Sequence, residues 1–222
     1  GEVVSLAEKL RSEHPQIDIL INNAGAIFGP RMITGDGFEL TLQVNYLAPY
    51  LLTRLLLPDL IAAKATVIQT ASVSARLFGN LDIKDVQLTN GYTPNRAYGN
   101  SKLADILFTR ELDRRYRASG IKTACFHPGN LATGFGRETT SWMRFMFQTP
   151  LGKLFLKPAA EGGEALAWMV KLASSPDWVP AGYYEDHALA RNEHPQARDM
   201  TLARALWDWT EQALDQAPDL TI

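Results

Sequence analysis

The sequence predicts an α/β fold built on a doubly wound parallel sheet. Short, nearly continuous apolar runs alternate with longer stretches of helical periodicity, and such runs are typical of strands covered on both faces. The alternation of strand and helix implies right-handed crossovers between parallel strands. The 222 residues suffice for one domain with a substantial core, and their 46% hydrophobic and 21% charged content is ordinary for a globular protein.

Four strands and five helices are expected along the chain. The strands are expected at 17–25, 65–72, 122–129 and 182–186, and the helices at about 2–14, 36–63, 95–118, 160–174 and 199–215. Gly120 follows the third helix, where a C-terminal stop is expected. The stretch 130–159 is long and irregular, which favours a functional loop over a passive connection.

Composition excludes several classes of partner. A net charge of −2 gives no basic field for nucleic acid and no polybasic face for a membrane. The longest weakly charged stretch, LTLQVNYLAPYLLT, contains Gln43, Asn45 and Pro49 and is expected to be too short to span a bilayer. The opening residues GEVVSLAEKLRSEHP are charged and amphipathic, unlike a secretory signal.

The single cysteine indicates the compartment. Cys125 leaves no partner for an internal disulfide and fits a reducing environment, so a cytoplasmic protein is expected. Within KTACFHPG, Cys125 is interpreted as a small buried hydrophobe. His127 in the same run could face a site, but a structural or solvent-facing role is favoured. The histidines are dispersed and show no metal-ligand spacing, so no metal is expected.

The predicted strand ends favour a ligand crevice. In open α/β sheets ligands bind beyond the carboxyl ends of the strands. Those ends are NNAG (22–25), TAS (70–72) and HPG (127–129), which are small or polar. This composition suits a crevice better than a packed rim.

A tyrosine and a lysine share one face of the third helix. Tyr98 and Lys102 are spaced i,i+4 in NRAYGNSKLADILF. A nearby ammonium lowers the pKa of a phenol from its ordinary value near ~10, as a general acid or base requires. The spacing alone also occurs by chance in many helices as a solvated pair. Ser72, at the end of the second strand, could orient a carbonyl or alcohol oxygen.

Asn45 and Pro49 indicate a break in the second helix. Pro49 has no N–H for the carbonyl of Asn45 four residues earlier. We therefore expect a kink there that leaves this carbonyl free to hold a water.

Together these features resemble the short-chain dehydrogenase/reductase family, and nearest to its retinol dehydrogenase and WW-domain oxidoreductase-like branch. The matching features occur in the family's order: NNAG at 22–25, Asn45, Ser72, the Tyr98-x-x-x-Lys102 pair and PGNLAT at 128–133. The tail from Gly182 is similar to that branch. The resemblance covers almost the whole chain and implies a Rossmann-like sheet.

The resemblance implies an NAD(P)-dependent oxidoreductase. Its catalytic residues would be Asn45, Ser72, Tyr98 and Lys102, and its cofactor-binding residues Asn22, Ala24, Gly25, Tyr98, Lys102, Pro128, Gly129 and Thr133. Asn22, Ala24 and Gly25 would line the adenosine side. The stretch 134–158, with Trp142, Phe145 and Phe147, would be a lid over a small hydrophobic carbonyl or alcohol. The branch favours NADP over NAD, and relatives often form homodimers through the helix that carries the tyrosine.

One family feature is absent from the sequence. The family begins with a Gly-rich T-G-x-x-x-G-x-G turn that holds the pyrophosphate, and no such stretch occurs here. Residues 1–222 are thus interpreted as one Rossmann-type domain that lacks its first strands, with 17–25 as an open apolar edge. The chain is interpreted either as part of a longer protein, which we favour, or as an inactive fragment. A non-catalytic regulatory or interaction protein is the alternative function.

Overall fold

The computed structural model describes residues 1–129 and 159–217. The strands are β1 (Ile19–Asn22), β2 (Thr66–Thr70), β3 (Lys122–His127), β4 (Gly182–Glu185) and β5 (Ala188–Leu189). The α-helices are α1 (Glu2–Glu13), α2 (Leu40–Leu42), α3 (Ala48–Ala63), α4 (Ser74–Phe78), α5 (Pro94–Tyr116), α6 (Ala159–Leu172) and α7 (Met200–Asp215). A π-helical turn, Gln43–Leu47, joins α2 to α3, and short 3₁₀ turns span Arg117–Ser119 and Pro195–Arg198.

The sheet confirms the predicted α/β class. Its order is β1-β2-β3-β4-β5, with the first four strands parallel and β5 antiparallel to β4. In the described ranges β1 pairs only with β2, so its other edge carries no strand there, as the sequence predicted. The short strand β5 covers the opposite edge of the sheet.

Helices cover both faces of the sheet. On one face Val67, Cys125 and Tyr183 pack in a large core with residues of α3, α5 and α7. On the other face Ile68, Ala124 and Phe126 pack with side chains of α6. Alternate residues of β2 and β3 therefore enter different cores, which explains why their apolar runs are nearly continuous.

Helix α7 lies against α5 and α3. Trp207 contacts Phe108 with ring centroids 5.8 Å apart, and the Tyr46 hydroxyl lies 2.8 Å from Thr210 Oγ1. Arg54 of α3 forms an ion pair with Glu211 at 2.8 Å. This face of α5 is thus occupied by the chain itself.

The second helical region falls within the predicted 36–63 and extends beyond the weakly charged stretch 40–53. Among the described residues, one continuous helical run, Leu40–Ala63, has the length and apolar composition to cross a membrane, with a mean hydropathy of 1.2. The expectation that this stretch is too short is therefore wrong, because the helix continues past Thr53. Yet 39% of its most apolar window is buried inside the protein, and Tyr46, Leu47 and Tyr50 pack in the core.

Candidate active site

The predicted site residues gather where the parallel strands end. Asn22 is the last residue of β1, Ser72 follows β2 by two residues, and Pro128 follows β3 directly. Because the carboxyl ends of parallel strands meet at one edge, these segments form one side of a crevice. Helix α5 brings Tyr98 and Lys102 to the same edge.

Tyr98 is buried, and its side chain is hydrogen-bonded to Ser72. Thr93 caps α5, since its hydroxyl accepts a hydrogen bond from the Arg96 N–H at 3.2 Å, and Tyr98 follows in the second turn. Tyr98 and Ser72 are each 7% exposed, and their side chains are hydrogen-bonded. The Ser72 hydroxyl also accepts from the Ser74 N–H at 3.1 Å, which fixes its direction.

A glycine sets the distance between α5 and α4, the short helix that follows Ser72. A Cβ atom on Gly99 would lie 2.7 Å from the carbonyl carbon of Phe78 and 2.8 Å from the Gly79 nitrogen. Only glycine therefore lets α5 pack directly on the end of α4. Since α4 begins just after Ser72, this contact helps to place Tyr98 beside it.

Lys102 is also buried, with 4% of its surface exposed. Its Nζ atom donates to the Thr70 carbonyl at 2.8 Å and to Asp105 Oδ2 at 2.9 Å, and lies 5.9 Å from the centroid of the Tyr98 ring. The ammonium thus bridges β2 and the next turn of α5 while it stays close to the phenol.

The pKa of Tyr98 differs from the sequence expectation. Burial raises this pKa, whereas the Lys102 charge and the Ser72 hydrogen bond lower it and the Asp105 charge raises it. The effect of Lys102 has the predicted sign. The net result is nevertheless a pKa above the ordinary value, so the expected net lowering is wrong, because the sequence pattern did not show how deeply the phenol is buried.

Asn45 occupies the π-helical turn predicted as a kink. Its side chain is 1% exposed and makes three hydrogen bonds. Oδ1 accepts from the Ala26 N–H at 2.8 Å, while Nδ2 donates to the Ala26 carbonyl at 2.8 Å and to Ser101 Oγ at 3.1 Å. Asn45 therefore ties the segment after β1 to α5. A water held by its backbone carbonyl stays a prediction.

The described residues fit the sugar next to a nicotinamide. Lys102 has three N–H donors and uses two on described residues, which leaves one for a ribose hydroxyl. A Cβ atom on Gly25 would lie 3.1 Å from Asn45 Oδ1 and 3.5 Å from Lys102 Nζ. The backbone at Gly25 thus passes close to Lys102. Its expected place on the adenosine side of a dinucleotide stays a prediction.

The other predicted cofactor residues have different surroundings. Asn22 is buried and its Nδ2 donates to Thr53 Oγ1 of α3 at 3.0 Å, so its side chain has a structural contact. Ala24 is exposed just after β1. Gly129 has φ +89°, which favours glycine in the turn after Pro128.

Two predictions fall outside the described residues. Thr133 and the proposed lid 134–158, with its three aromatic residues, lie in the range 130–158, so their roles stay predictions.

Two side chains of β3 were interpreted from sequence as non-catalytic. Cys125 is fully buried, and burial raises the pKa of its thiol to about 12, which confirms the interpretation as a small hydrophobe. His127 is the last residue of β3 and is partly buried.

The sequence reading missed the partners of the predicted residues. Asp105, Ser101 and Ala26 hold Lys102 or Asn45 in place. Asp105 had a detectable signal, because an acid three residues after a lysine shares its helix face. Ala26 had none, since its contact is made by backbone atoms across the fold.

Comparison with known proteins agrees with this geometry. The short chain dehydrogenase family matches residues 1–144. A protein of Streptomyces sp. (strain C5), provisionally named daunorubicin C-13 ketoreductase, is 38% identical over 217 residues, which cover 96% of this chain and 70% of the relative. Human retinol dehydrogenase 13 is 38% identical over 208 residues, which cover 90% of this chain. This chain spans 61% of that human protein.

A solved structure shows the same fold. The crystal structure of a protein from Mycobacterium Paratuberculosis is 28% identical, has a TM-score of 0.68, and the match covers 95% of this chain and 71% of that one. The family match covers more than half of the chain and includes Tyr98, Lys102 and Ser72. This chain belongs to the short-chain dehydrogenase family.

Proposed function

We propose that this chain carries the catalytic site of an NAD(P)-dependent oxidoreductase that interconverts an alcohol and a carbonyl on a small hydrophobic substrate. One arrangement supports this most: a buried Tyr98 that is hydrogen-bonded to Ser72 and lies beside the Lys102 ammonium. A phenol, a hydroxyl and a cation in a water-poor crevice can manage one proton on a substrate oxygen.

The proposed proton path uses Tyr98. A bound nicotinamide supplies or accepts the hydride. Because the pKa of Tyr98 is raised by burial, the phenol is protonated at neutral pH and can donate its proton to a carbonyl oxygen during reduction. Ser72 would donate a hydrogen bond to the same oxygen and stabilise its developing charge. The Lys102 ammonium would stabilise the phenolate that remains.

The finer assignments belong to the proposal too. NADP is favoured over NAD, and the substrate is expected to be apolar, as the names of the ketoreductase and retinol dehydrogenase relatives suggest. A cytoplasmic location is part of the proposal, and the single Cys125 is what supports it. A homodimer through α5 would have to use the part of that helix that α7 leaves uncovered.

The test is turnover of NADPH and NADH with a panel of apolar ketones and aldehydes. The variant Tyr98→Phe should lose at least ~100-fold in kcat/KM, since it keeps the ring and removes the proton. Tyr92→Phe is the matched control, because the Tyr92 hydroxyl bonds Glu39 at 3.2 Å, outside the strand-end crevice. The control should stay within about twofold of the parent.

Two results would count against the proposal. Turnover that survives in Tyr98→Phe would exclude Tyr98 as the proton donor. A parent protein that binds dinucleotide but reduces no member of the panel would favour the non-catalytic alternative.

A further inference from the structure

Asp105 is a buried carboxylate one turn beyond Lys102. It is 2% exposed, and its Oδ2 accepts from Lys102 Nζ at 2.9 Å. Its other oxygen, Oδ1, is buried and has no hydrogen-bond partner among the described residues. A carboxylate with one satisfied oxygen is costly to bury, so its retention beside a predicted catalytic lysine calls for a reason.

The two partners depend on each other for their charges. Burial is the largest effect on the pKa of Lys102 and lowers it, but the charges of Asp105 and Tyr98 and the hydrogen bond to Asp105 together leave that pKa above its ordinary value. Burial raises the pKa of Asp105 to about 6, against the attraction of Lys102. Near neutral pH both groups are therefore charged, and the ammonium persists in a place where an isolated lysine would tend to lose its proton.

We propose that Asp105 is a positioning residue of this site, whose carboxylate keeps the Lys102 ammonium charged and directed at the Thr70 carbonyl beside Tyr98. The inference rests on the proposed role of Lys102 and extends it. Asp105 acts through Lys102, because its carboxylate accepts a hydrogen bond from Lys102 Nζ at 2.9 Å and pairs with that charge.

The titratable groups outside α5 that interact with Asp105 do not change charge between pH 5 and pH 9. Electrostatic interactions link Asp105 to Tyr98 and Lys102 on its own helix, to Tyr46 on the π-helical turn, and to Cys125 on β3. Burial raises the pKa of Tyr46 far above its ordinary value and that of Cys125 to about 12. Neither changes charge between pH 5 and pH 9, so changes at Lys102 in that range would report on Asp105.

The experiment follows the proton on Lys102 directly. The protein is labelled with ¹³C at lysine Cε and titrated by NMR, and the Lys102 signal is assigned by its loss in Lys102→Met. In Asp105→Asn the midpoint of the Lys102 titration should fall by at least about two pH units, since the variant removes the carboxylate charge that contacts the ammonium. Asp113→Asn is the matched control, because Asp113 is a buried carboxylate of the same helix that pairs with Arg117. It should leave the Lys102 midpoint unchanged, and an unchanged midpoint in Asp105→Asn would overturn the proposal.

A second measurement needs no substitution at Asp105. In the parent protein, ¹³C-carboxyl aspartate should show a group that titrates near pH 6, and the Lys102 Cε signal should shift with the same midpoint. A Lys102 signal that does not change across this range would also overturn the proposal, even if Asp105→Asn failed to fold.

Turnover separates this inference from the proposed function. If the parent protein has no reductase activity but the Lys102 titration midpoint falls in Asp105→Asn, the role of Asp105 stands and the proposed function is refuted. If the parent protein is active but the Lys102 midpoint is unchanged in Asp105→Asn, the proposed function stands and the role of Asp105 is refuted.

Discussion

Asn45→Ala is expected to destabilise the protein by removing a link between β1 and α5. The Asn45 side chain is 1% exposed and makes hydrogen bonds of 2.8, 2.8 and 3.1 Å to Ala26 and Ser101. Each such bond contributes about 1 kcal/mol net, so the loss should be about 3 kcal/mol in the free energy of unfolding. Part of that cost arises because both backbone groups of Ala26 lose their partner.

Urea unfolding measures this loss. The midpoint for Asn45→Ala should fall while the slope of the transition stays constant, which shows that stability and not compactness has changed. Asn80→Ala is the control, since Asn80 is exposed and should change stability by less than about 0.5 kcal/mol. A loss below about 1 kcal/mol in Asn45→Ala would refute the reasoning.

A double-mutant cycle isolates one of the three bonds. Ser101→Ala removes the acceptor of Asn45 Nδ2. In the double variant with Asn45→Ala, the loss in the free energy of unfolding should differ from the sum of the two single losses by about 1 kcal/mol. For independent sites the two single losses would simply add.

Three further outcomes are expected. Gly99→Ala should lower the free energy of unfolding by about 1–3 kcal/mol and lower the turnover rate, because its Cβ would lie 2.7 Å from the backbone of Phe78. Gly35→Ala is the control, since a Cβ there has open space and should leave thermal unfolding unchanged. Cys125, with its pKa raised to about 12, should react with thiol reagents at pH 8 only in urea, and rapid labelling of the native protein would contradict its burial. Because the pKa of Asp105 rises from 3.8 to about 6 on folding, the folded state binds this proton more tightly, and the free energy of unfolding should fall by about 2 kcal/mol more in the parent than in Asp105→Asn between about pH 4 and pH 7. An equal or opposite change in the two unfolding free energies would contradict the last expectation.

The regular part of the fold could be predicted from sequence because its signals are local. The four parallel strands are near-continuous apolar runs, and the predicted helix at 95–118 is found as Pro94–Tyr116. Strand ends were extended too far, as in 17–25 against Ile19–Asn22, because the small and polar residues of NNAG do not show where the pairing with β2 ends. The helix α4 and the strand β5 were not predicted, because five residues and two residues, respectively, are too few to show a periodicity.

The site could be predicted only as far as its motif extends. Tyr98 and Lys102 share a helix face by spacing alone, and Ser72 is placed by the end of a strand. The net pKa of Tyr98 could not be predicted, since burial depends on how α4 and α5 pack. The role of the Asn45 amide likewise depends on Ala26, which is 19 residues away in the chain.

The π-helical turn at Gln43–Leu47 makes the placement of the Asn45 side chain depend on the number of residues between α2 and α3. A π-turn is an α-helix that holds one extra residue, so the residues before it are rotated by about 100° relative to an unbroken helix. Deletion of one residue here would turn the Asn45 side chain away from Ala26, and Pro49 would still have no N–H to donate. The deletion would therefore remove the hydrogen bonds through which Asn45 stabilises the fold together with the position that it is proposed to take in the site. One irregular turn thus serves stability and the proposed function at the same time.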